Sequence, residues 1–131
     1  MRFTSSLAAL AAMPMMAMAQ YTWTGKITGK TSTTLTFTVA TPSDWYSGAP
    51  DFSSTCTVTT NKEFGAGCGG DVTALYRTAP TPTALVVDLE YTDASGTTWL
   101  ASGGSDVDAA SVTVGTTLVF SASAPVQDIF G

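Results

Sequence analysis

Apolar and polar residues alternate with a period of two along most of this chain, and no apolar stripe of helical spacing competes with them beyond the first twenty residues. In TLTFTVA, Leu35, Phe37 and Val39 alternate with Thr34, Thr36 and Thr38. In YTWTGKI, Tyr21, Trp23 and Ile27 share one face, and in ALVVDLEYT so do Leu85, Val87, Leu89 and Tyr91, with Asp88 and Glu90 on the other. Shorter runs of the same kind lie at 54–60, 72–77, 97–101, 110–114 and 116–121. Threonine and valine dominate them, because branched side chains suit a pleated surface. About seven to eight short strands, each with one apolar face, predict an all-β, small single-domain antiparallel β-barrel or β-sandwich.

Turn chemistry sets the punctuation. Gly25, Gly29 and Thr31-Ser32 are read as separating the first two strands. Residues 93–96, DASG, read as a tight turn that makes 84–92 and 97–101 a hairpin. Gly103-Gly104 and Gly115 are read as two further reversals, and the stretch 78–83, TAPTPT, with its two prolines, as a loop.

The first residues, MRFTSSLAALAAMPMMAMAQ, have the layout of a secretory leader. Arg2 supplies the positive start, residues 7–12 and the following methionines an apolar centre, and Ala17-Met18-Ala19 a small-x-small site. Cleavage is expected between Ala19 and Gln20. The apolar run is too short for a ~30 Å hydrocarbon core, and Pro14 interrupts it. Removing residues 1–19 from 131 leaves 112, one secreted β domain over 20–131.

Charge and cysteine narrow the function classes. Lys26, Lys30, Lys62 and Arg77 face ten carboxylates, and this excess of negative charge argues against nucleic acid and against an anionic membrane surface as partners. Cys56 and Cys68 are the only cysteines, and in an oxidising compartment one disulfide is the simplest pairing. It would close the loop 56–68, worth about 3 kcal/mol on the chain-entropy model. With no histidine and two cysteines, a four-ligand structural zinc site cannot be assembled, and neither metal nor cofactor is expected.

The stretch EFGAGCGGD, residues 63–71, raises the question of a phosphate loop. Such a loop opens a helix and commonly supplies a lysine, whereas the segment that follows here, DVTALYR, reads as a strand with no lysine. The glycines are therefore expected to turn a corner around Cys68. Catalysis has few candidates. The absence of histidine removes the usual Ser-His-Asp and Cys-His arrangements, and oxidised cysteines are not nucleophiles. Asp88 and Glu90 are a carboxylate pair on one strand face that a small hydrolase would require, and a solvated face explains them equally well. Asp106-Val-Asp108 offers oxygens for calcium but lacks an EF-hand pattern, so a polar turn is the simpler reading. The chain is read as a non-enzyme. Trp45-Tyr46 stands in the loop TPSDWYSGAPDF, where the rings would stack on a sugar, anchor a protein, or let Trp45 plug the open end of the fold. Trp23 and Trp99, within strand runs, are read as core.

In their order, these features resemble the secreted fungal domain family named after the Alternaria major allergen. The resemblance rests on Tyr21, Trp23, Ile27, Leu35, Phe37, Val39, Cys56, Cys68 and the 85–91 strand, and spans most of residues 20–101. It implies a compact antiparallel barrel or sandwich exported by a filamentous fungus, allergen-like, and for some members an elicitor or virulence factor that binds plant proteins. No shared catalytic site is implied. Family members commonly carry a second disulfide in the C-terminal part, and this chain has no cysteine there. The resulting expectation is an effector or elicitor that binds a host or apoplastic protein, modulating plant immunity or inducing cell death. Its rival is a carbohydrate-binding or cell-wall protein.

Overall fold

The computed structural model of the chain describes residues 20–78 and 83–129. The expected leader and the middle of the 78–83 loop lie outside the described residues. Nine strands form one antiparallel sheet: β1 (Gln20–Lys30), β2 (Thr34–Ala40), β3 (Ser53–Thr59), β4 (Ala66–Gly67), β5 (Val72–Arg77), β6 (Ala84–Thr92), β7 (Thr98–Asp106), β8 (Thr117–Ser123) and β9 (Val126–Gln127). The order across the sheet is β3-β2-β1-β8-β7-β6-β5-β4, with β9 added beside β7. No described residue is helical. The sheet curls into a barrel, one of the two architectures expected from the alternation.

The alternation decides which side chains fill it. Trp23 and Ile27 from β1, Leu35, Phe37 and Val39 from β2, Leu85, Val87 and Leu89 from β6 and Phe120 from β8 are buried. Each fully buried aliphatic or aromatic side chain contributes about 1.5–3 kcal/mol of transfer free energy. Outward positions carry threonines that pair across strands, as Thr36 Oγ1 does with Thr57 Oγ1 at 2.9 Å.

The disulfide closes the barrel. β3 and β4 are the two ends of the strand order and share no hydrogen-bond ladder. Cys56, fully buried in β3, is bonded to Cys68, the residue after β4, with Cα atoms 4.8 Å apart. That distance lies inside the range a relaxed bridge requires. A covalent link thus stands where a ladder would otherwise complete the cylinder. Around it the glycine run does turn a corner: Gly69 and Gly70 have φ of 99° and 58°, and Cys68 N donates to Val72 O at 2.8 Å as β5 begins.

Three turn and strand expectations are corrected. β1 runs unbroken through Gly25 and Gly29, and its reversal is the short segment 31–33. Gly103-Gly104 lies inside β7 and is not a reversal. A Cβ on Gly103 would stand 2.7 Å from Trp23 Cε3, and one on Gly25 1.8 Å from Thr38 O. These glycines mark close approaches within the barrel wall, which a strand glycine signals as readily as it signals a turn. Finally, 110–114 is not a strand. Asp108 Oδ1 accepts from Ala110 N at 3.0 Å and its carbonyl from Val112 N at 2.9 Å, so local side-chain bonding overrides the alternation.

Candidate functional site

Strands that alternate in direction deliver their connections to two ends of the barrel. One end carries the β2–β3 loop (41–52), the corner 68–71 and the β6–β7 turn (93–97). The sequence concentrates aromatic residues there, and they stack upward from the core. Trp23 is fully buried; Trp45 meets it edge-on at 5.3 Å and Phe52 at 5.2 Å. Tyr21 then contacts Trp45 at 5.6 Å and Tyr46 at 5.5 Å, both edge-to-face. Such geometry places the positive ring edge on the negative face.

The 41–52 loop is built to hold this stack. Trp45 Nε1 donates to Pro50 O at 3.0 Å, and Asp44 N donates to the Asp51 carboxylate at 3.1 Å. Thr41 N and Phe52 O close the loop base at 2.9 Å. Trp45 is only 6% exposed, so it is the plug that finishes the core. Trp45 and Tyr46 are therefore not exposed side by side, the arrangement a flat sugar-stacking platform would need. Tyr46, half-buried, is the ring of that pair that reaches the surface.

Opposite Tyr46 stands the β6–β7 hairpin. Asp93 organises it: Oδ1 accepts from Ser95 N at 2.9 Å, Ser95 Oγ at 2.7 Å and Thr97 N at 3.0 Å, while Oδ2 accepts from Trp99 Nε1 at 2.8 Å. The Trp99 bond, followed by those from Ser95 and Thr97, lowers the Asp93 carboxyl to about 2. Tyr91 lies across the ladder from Trp99, and burial, followed by Tyr46 and Asp93, raises its hydroxyl. Tyr46, Ser47, Gly48, Tyr91, Asp93 and Trp99 enclose a cleft of about 250 Å³. It continues past Gly48, Tyr91 and Asp93 into a wider, open groove that Pro50 and Asp71 also line.

In the sequence, 93–96 reads as a turn and Trp99 as core. Trp99 is instead partly buried, with its indole N–H spent on Asp93. A signal was available: a hairpin loop one residue longer puts Tyr91 opposite Trp99, and an aspartate opening a turn beside them is a ready acceptor.

The other candidates lie elsewhere. Asp88 and Glu90 share the outward face of β6, beside a shallow depression of about 290 Å³ lined by Asp71 and Leu100. Asp88 accepts from Ser102 Oγ. Glu90 is exposed, and its carboxyl is raised first by a hydrogen bond with Asp128, then by burial and by the charges of Asp128 and Asp71. Asp106 ends β7 and Asp108 caps the following turn, with buried Val107 between them. No group of three potential metal ligands occurs among the described residues. Comparison with family models, with curated proteins and with solved structures returns no match.

Proposed function

We propose that the chain is an exported fungal protein of the effector or elicitor type that works by binding a host or apoplastic protein at the aromatic end of its barrel. The observation that carries this reading is the groove between Tyr46 on the 41–52 loop and Tyr91, Asp93 and Trp99 on the β6–β7 hairpin. Rings held by a rigid scaffold, with a charge fixed among them, are what a specific binding surface needs and what a solvated loop does not require. Export with removal of residues 1–19 belongs to the same reading, and a disulfide closing the barrel is compatible with an extracellular protein. Catalysis is not part of it. The chain has no histidine, its cysteines are bridged, its lysines stand in no S-x-x-K arrangement, and the raised carboxyl of Glu90 is hydrogen-bonded with Asp128.

A second reading, binding of a cell-wall polysaccharide, is favoured by the same three rings, since sugar faces pack on aromatic side chains. The test is infiltration of leaves with the protein purified from the medium of a secreting host, beside Cys56→Ser/Cys68→Ser and Tyr46→Ala forms. Cell death or a defence burst from the intact protein alone, with capture of one apoplastic protein, is the expected result. Silence and no capture, with sedimentation on chitin or glucan, would replace this reading with the second.

A further inference from the structure

We infer that the groove takes a positively charged side chain, a lysine or arginine from a basic segment of a partner protein. This rests on the binding reading above and adds the chemistry of what is bound.

Three independent observations converge. First, Tyr46, Tyr91 and Trp99 contribute to one small cleft, and ring faces attract cations. Second, the cleft holds a charge that is fixed in place. Asp93 receives four hydrogen bonds, three on Oδ1 and one on Oδ2, so Oδ2 retains acceptor capacity toward a ligand while the carboxylate stays ionised. Asp71 lines the wider groove beyond it, and no cation lines either part.

Third, charge is segregated along the barrel axis. Asp44, Asp51, Asp71 and Asp93 lie in the loops of the groove end, and Asp128 joins them, its N–H bonded to Thr98 O where β7 begins. Lys30, at the last position of β1, Arg77, at the last position of β5, and Lys62, in the 60–65 loop, all lie at the other end, where Glu63, Asp106 and Asp108 balance them, so the net negative charge is left at the groove end. Lys26 sits on the barrel wall. The field at the groove mouth is therefore negative and draws basic segments to it, at a rate that salt will reduce. A neutral sugar would use the rings but leaves the fixed carboxylate and the segregation without a role.

The probe is capped hexalysine, titrated by calorimetry into the secreted protein at low and physiological salt. Saturable binding is expected that weakens at least tenfold in Asp93→Asn and in Tyr46→Ala and stays within twofold of the parent in Asp106→Asn, which removes the same charge at the far end. Tyr46→Ala keeps the test sound if Asp93→Asn perturbs the hairpin, because it leaves every Asp93 bond in place. Equal weakening in Asp93→Asn and Asp106→Asn would reduce the effect to net charge and overturn the inference. So would no binding of hexalysine, or a chitin or glucan oligosaccharide that saturates the groove in a Tyr46-dependent way. If hexalysine fails while leaf response and capture persist, the ligand chemistry falls and the protein-binding reading stands. The reverse pattern removes that reading and keeps the cation site.

Discussion

At the end of the barrel opposite the groove, the loops use their own polar side chains to close themselves. Lys30 Nζ donates to Val112 O at 2.8 Å, Thr83 Oγ1 to Val107 O at 2.8 Å, and Thr78 N and Oγ1 to Glu63 Oε2 at 2.8 and 2.9 Å. Even the one tyrosine there, Tyr76, accepts from Ala109 N at 3.0 Å. A cleft of about 480 Å³ opens at that end, lined by hydroxyls and small residues with a lysine at its edge. The groove end is made differently. Its loops are held by Trp45 Nε1, the Asp51 carboxylate and Asp93 and packed over rings stacked on Trp23, and Tyr46 and Trp99 keep surface to offer. One barrel thus carries a self-satisfied polar end and an aromatic end whose rings and charge are not used up internally. Loops on a rigid scaffold diverge in this way because the strands already supply the fold.

Opening the barrel should have the largest effect, since both ends depend on it. Replacing Cys56 and Cys68 by serine should cost about 3 kcal/mol on the chain-entropy model, a fall of roughly 10–20 °C in Tm. Cys56 is fully buried in β3, so the serine variant also places a hydroxyl in the core. Thermal melts of the two forms check this, and both ends should be lost in one transition. Two transitions would show that the ends are held separately.

Gly103→Ala should divide the ends. The added Cβ meets the Trp23 ring at 2.7 Å, and Trp23 carries Trp45 and Phe52. Displacing them should cost about 1–3 kcal/mol in a urea titration and reduce the tryptophan bands in near-ultraviolet circular dichroism. Because Tyr76 and its loop lie far from this stack, hydrogen exchange at Ala109 N should be unaltered under strongly folding conditions.

Much of this architecture is written in the alternation. β5 and β6 have the limits expected of them, the 93–96 turn makes the expected hairpin, and Cys56 pairs with Cys68. What alternation does not carry is close approach. Gly25 and Gly103 read as turns because a glycine between polar residues looks the same in a reversal and in a wall where a neighbour needs the space. The two-residue strands β4 and β9 are too short to show a period. The groove is illegible for a further reason: its rings come from two segments 45 residues apart (91 − 46), and only the fold brings Tyr46 near Tyr91 and Trp99. Trp45 and Tyr46, adjacent in sequence, do opposite jobs, one closing the core and the other facing the cleft.

Asp93 ties the groove's geometry to its charge, and pH separates the two. Its carboxyl lies at about 2 in the folded protein against an ordinary value of 3.8. A lowered carboxyl stabilises the fold above the unfolded value and loses that contribution as pH falls through the folded one. Hairpin stability should therefore fall between about pH 4 and pH 2, seen as a drop in Tm. Asp93→Asn should flatten this part of the profile while keeping an acceptor for Trp99 Nε1.

The smallest effect expected is at Glu90, and its sign is opposite. Glu90 lies on the flank of the groove end, bonded through its N–H to Asp71 O at 3.0 Å, and its carboxyl is raised by the hydrogen bond with Asp128, by burial, and by the charges of Asp128 and Asp71. A raised carboxyl favours the fold below its unfolded value, and that advantage is lost as pH rises through the folded one. At neutral pH the cluster is therefore a small liability that the molecule retains, and it adds to the negative field at the groove mouth. Glu90→Gln keeps a hydrogen-bond partner for Asp128 and removes the repulsion, so it should raise Tm slightly at pH 7 and leave it unchanged near pH 3. If the negative field matters to binding, the same variant should slow association of a basic peptide at low salt while its dissociation rate stays the same. A variant that is more stable yet slower to capture its ligand would identify charge at this end as a feature kept for function at a cost to the fold.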